Sequence, residues 1–127
     1  PGLCTNPQMT TQAVIERYFE LSTSKDPRAV SDCFAASWRA RFVNRPSWDE
    51  AAAAWASAGP ATGLRITHGD TVNGCDRYGV AAQMATGYPI GQGGSEFITI
   101  GPEGGTPRIF EVTTGLVNAQ IATTTCR

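Results

Sequence analysis

Apolar residues recur at helical spacing over the first half of the chain, and near Gly63 the spacing changes to the alternation of strands. Helices followed by a run of strands predict an α+β domain, its helices packed on one face of a mainly antiparallel sheet of four to six strands. Thr10 or Thr11 can cap a first helix through about Thr23, with Val14, Ile15, Tyr18 and Phe19 on one face and Leu21 beside it. Asp26-Pro27 is a restart signal, an acidic cap before proline at the first helical position. The helix it opens carries Val30, Cys33, Phe34 and Trp38 toward the core. Residues 38–43 alternate briefly and read as a short strand or extended connection. Ser47-Trp48-Asp49-Glu50 is a capping box for a third, alanine-rich helix that Gly59-Pro60 stops. Trp48 and Trp55, seven positions apart, share one face of it.

The strand candidates follow at 64–72, 77–88, 95–100 and 107–117. Asn73-Gly74 marks a turn after the first, and the glycine-rich stretch 101–105 marks another before the last. On the first strand Leu64, Ile66, His68, Asp70 and Val72 fall on one face. The last is apolar on both faces, with Phe110, Val112 and Leu116 against Ile109 and Val117, which calls for a central position or a covering partner. One domain, 1–127, accounts for the whole chain, with an N-terminal arm at 1–9 and a threonine-rich tail at 118–127.

Composition narrows the function classes. With 41% apolar and 17% charged residues the chain is globular, and at a net charge of −1 it lacks the concentrated basic face of a nucleic-acid binder. No apolar stretch reaches the ~20 residues of a membrane span. The chain opens Pro1-Gly2 without methionine, as a processed or trimmed end would. Four cysteines, Cys4, Cys33, Cys75 and Cys126, and a single histidine do not make a zinc site. An even, widely spaced set fits two disulfides, and with them a secreted or otherwise exported protein; four buried thiols are the alternative. Three connectivities exist, and the expected one joins Cys4 to Cys126, tying the termini together, and Cys33 to Cys75, tying a helix to a strand turn.

The order Ala13-Val14-Ile15-Glu16-Arg17-Tyr18-Phe19-Glu20-Leu21, Asp26-Pro27-Arg28-Ala29-Val30, Phe34-Ala35 resembles the opening of the NTF2-like (SnoaL-like, cystatin-like) superfamily. The third helix, and the glycine-rich turn before Arg108-Ile109-Phe110-Glu111-Val112, extend that resemblance over residues 10–117. It implies a cone: three helices inside a strongly curved sheet, enclosing a mostly apolar cavity. Members include isomerases, dehydratases, cyclases and hydrolases as well as non-catalytic binding domains, many of them dimers through the sheet. The superfamily shares no catalytic motif, and no complete catalytic set matches here.

His68 and Asp70, two apart on a strand, would point into such a space. His68 could move a proton while Asp70 fixes its tautomer. Tyr18, Trp38, Trp48, Trp55, Tyr78 and Tyr88, with Glu111 as a pocket acid, would line it for a small hydrophobic or amphipathic molecule. Core packing explains most of the same rings. No cofactor or metal is called for. The expectation is therefore an exported ligand-binding domain; the alternatives are a cofactor-independent enzyme using His68 and Asp70, and a structural or self-assembling module that pairs through its sheet.

Overall fold

The computed structural model describes residues 4–22, 27–42, 61–84, 96–114 and 126. Their element order is helix α1 (Thr11–Ser22), a 3-10 helix (Pro27–Cys33), helix α2 (Ala36–Phe42), then strands β1 (Ala61–Val72), β2 (Cys75–Met84), β3 (Glu96–Glu103) and β4 (Thr106–Thr114). The strands form one antiparallel meander in the order β1-β2-β3-β4.

Helix α1 starts where the capping signal stands. Thr10 Oγ1 accepts the Ala13 N–H at 3.1 Å, while its carbonyl accepts the Val14 N–H at 3.1 Å. The buried stripe of α1 is Val14, Ile15, Tyr18, Phe19 and Leu21, packed against Ile98 and Ile100 of β3 and Ile109 of β4 in one core cluster. Val30 and Cys33 of the 3-10 segment, and Phe34 just after it, join the same cluster.

The expected three helices on a curved sheet of up to six strands is corrected by these elements. Among the described residues there are two α-helices, of 12 and 7 residues, and a single four-stranded sheet. The second expected helix is instead a 3-10 segment of seven residues. It ends where Phe34 makes a parallel bridge to Ile109 and the Ala35 N–H donates to the Ile109 carbonyl at 2.8 Å. The stretch read as a strand or connection at 38–43 is largely helix α2, whose first N–H, on Ala36, is capped at 3.0 Å by the Glu103 carboxylate from β3. Trp38 and Phe42, four apart, fit one side of a short helix as well as one face of a strand, and a cap supplied from 67 positions away leaves no local mark. The third expected helix, at 47–58, lies outside the described residues.

The two hairpin turns among the described residues are tight pairs with positive φ, Asn73 (56°) with Gly74 (80°) and Gly104 (60°) with Gly105 (83°), the type I′ geometry that matches strand twist. Strand β4 occupies the end of the sheet, not its centre. Within the described residues a bulge accounts for part of its two-faced apolar pattern; Leu116 and Val117 lie outside them. Thr99 pairs with Glu111 but Ile100 with Ile109, so Phe110 is the extra residue and the alternation changes phase. Ile109 and Val112, three apart, consequently both pack on the core.

All four cysteines are bridged, in a pairing other than the one expected. Cys4 joins Cys33 and Cys75 joins Cys126, each with Cα atoms 5.1 Å apart. The N-terminal arm lies along the 3-10 segment and β4, because the Asp32 carboxylate accepts the N–H groups of Cys4 and Thr5 and Thr5 Oγ1 donates to the Pro107 carbonyl at 2.7 Å. Cys126 instead sits at the β1–β2 turn, its N–H on the Asn73 carbonyl at 3.1 Å. The termini are thus tied to the body of the domain rather than to each other.

Candidate functional site

His68 and Asp70 are separated by the backbone. Along β1, His68 pairs with Tyr78 and the next partners are Thr71 and Asp76, so three steps on β1 face two on β2. Gly69 sits in this bulge, where a Cβ would come within 3.2 Å of the Arg77 carbonyl. Strand pleating puts Tyr78 and Asp76 on one face of β2 and Arg77 on the other. The extra residue accordingly turns Asp70 to the Arg77 side, where both carboxylate oxygens accept from the guanidinium, one of them at 2.6 Å from Nε. That paired bonding holds the Asp70 carboxyl below its ordinary value and raises the Arg77 guanidinium.

His68 keeps the helix-side face that the alternation predicts, and its neighbour there is Asp76. Nε2 lies 3.5 Å from Asp76 Oδ1, which also accepts the Thr71 hydroxyl at 2.7 Å. The imidazole packs on the Tyr78 ring with centroids 5.0 Å apart. Tyr78 itself is buried, and its hydroxyl shares a hydrogen bond of 2.6 Å with Thr11 of α1. The His68 side chain is 48% exposed and that of Asp76 34%. The arrangement is an open histidine–aspartate pair on an aromatic platform, at the margin of the helical layer. Chemically it can exchange a proton with, or hydrogen-bond to, a group arriving from solvent.

The expected lining residues are dispersed. Tyr18 lies in the core, edge-on to Phe19 and tilted against Phe34 at centroid distances of 5.0 and 5.8 Å. Tyr78 belongs to the same cluster, with Trp38, Leu64 and Ile66 half-buried at its margin. Glu111 is half-buried opposite Thr99 on β4, away from His68. Trp48, Trp55 and Tyr88 lie outside the described residues. Among the described residues no three histidine, cysteine or acidic side chains come together as a metal site, and no helix is long and apolar enough to cross a membrane.

Sequence reading missed Asp76 and Thr71 because it carried the alternation straight through Gly69. A glycine inside a strand pattern is the available signal for such a bulge. It also missed a second polar cluster, in which Arg108 Nη1 donates to the Asp32 carbonyl at 2.6 Å and to its carboxylate at 3.2 Å, with Glu103 3.5 Å from Nε. These groups bind the arm, the 3-10 segment, β3 and β4 to one another, so the cluster is architectural.

The chain matches no family model, no curated protein and no solved structure. Nothing among the described residues identifies the NTF2-like superfamily, and the resemblance stays one of sequence pattern.

Proposed function

We propose that this chain is an exported, non-catalytic binding domain that recognises a protein partner through the helix-side face of β1 and β2, around His68, Asp76, Leu64 and Ile66. The observation that carries this reading is the division of the candidate residues. Tyr18 and Tyr78, expected to line an interior pocket, are packed into the core, whereas His68 and Asp76 stand open on the sheet margin beside half-buried Leu64 and Ile66. A polar pair next to aliphatic surface offers both directional and apolar contacts to another protein. The two buried disulfides support export, since such bridges persist in oxidising compartments.

Selection of binding peptides from a random displayed library on the oxidised protein, followed by amide chemical-shift mapping, tests this. Selected peptides are expected to perturb residues 64–68 and 76–78. Perturbation centred instead on Val14, Tyr18 and Phe34 would overturn the surface reading and return the search to an interior ligand.

A second reading, an enzyme without cofactor, is favoured by the 3.5 Å approach of His68 to Asp76. Here Asp76, not Asp70, would orient the imidazole as general base. Turnover of any ester or enolisable ketone that disappears in His68→Ala but survives in Asp70→Asn would establish it.

A further inference from the structure

The Asn73-Gly74 turn carries a reaction of its own. Asparagine followed by glycine can cyclise: the Gly74 amide nitrogen loses its proton and attacks Asn73 Cγ, a C–N bond forms, and the side-chain nitrogen leaves as ammonia. Water then opens the resulting succinimide at either carbonyl, giving aspartate or isoaspartate; no redox change is involved. Both residues are exposed, and Gly74 has no Cβ to obstruct the approach.

The folded turn holds the reacting atoms apart. Positive φ at both positions makes this the mirror image of a type I turn, with ψ of about +30° at its first residue. At that angle the Gly74 nitrogen lies on the far side of the Cα–C bond from the Asn73 side chain. Attack needs rotation about that bond, and the Asn73 carbonyl belongs to the same rigid peptide plane as the Gly74 nitrogen. Cys126 holds that plane. Its N–H donates to the Asn73 carbonyl at 3.1 Å, and its sulfur is bonded to Cys75, the next residue after the turn. It is seated closely: a Cβ on Gly101 would fall 2.6 Å from Cys126 Cβ and 3.0 Å from the Gly74 carbonyl.

We propose that Asn73 is a deamidation site guarded by the Cys75–Cys126 bridge, so that loss of the bridge permits irreversible conversion of the turn to aspartate and isoaspartate. The isoaspartate product adds a methylene to the main chain, which displaces the carbonyl that receives Cys126. Once converted, the turn cannot rebuild the same seat.

The test incubates three samples at mildly alkaline pH: the oxidised protein, the Cys75→Ser/Cys126→Ser double variant, and a synthetic peptide of residues 70–77 with its cysteine alkylated. Amide-to-acid conversion is read by mass spectrometry of the tryptic fragment 66–77, and isoaspartate by enzymatic methylation. The oxidised protein should convert at least roughly tenfold more slowly than the peptide, and the double variant should approach the peptide rate. An oxidised protein as fast as the peptide, or a folded double variant as slow as wild type, would overturn the proposal. Should the double variant not fold, Gly101→Ala, which crowds Cys126 without removing a sulfur, is expected to convert faster than wild type. A folded Gly101→Ala protein at the wild-type rate would likewise overturn it.

Discussion

The two ends of the sheet are built to different standards. Under α1, β3 and β4 contribute Ile98, Ile100 and Ile109 at 0% exposure, and the adjoining arm is fixed by Cys4–Cys33, Thr5, Asp32 and Arg108. At the other end, β1 has no buried residue from Gly63 to Val72 and is interrupted by two register shifts. One half supplies the packing that makes the domain stable. The other presents backbone and side chains to solvent, and the bulge there re-aims Asp70 and leaves His68 facing Asp76. The residues of the proposed interface lie where packing demands least, because a side chain committed to the core has no surface left to offer.

Substitutions can break this contrast in order of size. Ile98→Ala or Ile109→Ala, in the closed half, should lose about 2–5 kcal/mol by urea denaturation, the range for emptying a packed aliphatic site. Removing Cys4–Cys33 by paired serine substitutions should cost about 2–4 kcal/mol, seen as a lower Tm, since the bridge closes a loop of 29 residues. Arg108→Ala, which removes the donor to the Asp32 carbonyl and the ion-pair partner of its carboxylate, should cost about 1–2 kcal/mol in the same assay. On β1, the half-buried Ile66 should tolerate alanine with a loss below about 1 kcal/mol; a loss as large as that of Ile98→Ala would erase the distinction between the halves.

The smallest expected effect concerns pH. Asp70 has a folded value below its unfolded one of about 3.9, so its pairing with Arg77 stabilises the fold above that value and stops doing so as pH falls through the lower folded one. The Asp70 carboxylate is half exposed, and solvent screening keeps the pair's share small. Asp70→Asn should flatten the acid limb of a stability–pH curve below about pH 4 and leave its neutral region close to wild type. An unchanged acid limb would show that the pair carries none of it.

Much of the scaffold was legible from the chain, for local reasons. The cap at Thr10, the stripe from Val14 to Phe19 and the Asn-Gly turn each express a rule acting over a few residues. What escaped was set by distant partners. Helix α2 depends on the Glu103 cap, and the cysteine pairing follows from where the arm and Cys126 dock, neither of which spacing reveals. The site was half legible: alternation placed His68 on the helix-side face, but the extra residue beside Gly69 exchanged Asp70 for Asp76 as its neighbour. One inserted residue reverses every face assignment beyond it, so alternation gives pairs correctly only up to the first bulge.

Native-state amide hydrogen exchange, followed residue by residue in the oxidised protein, tests the division between the halves most directly. The account predicts that the amides of Ile98, Thr99 and Ile100 exchange only through global unfolding. The amides of β1 that bond to β2 between Leu64 and His68 should open locally, at a free energy lower by at least about 2 kcal/mol. Equal protection of β1 and β3, both at the global value, would contradict the claim that this domain presents an open half for recognition on a closed one.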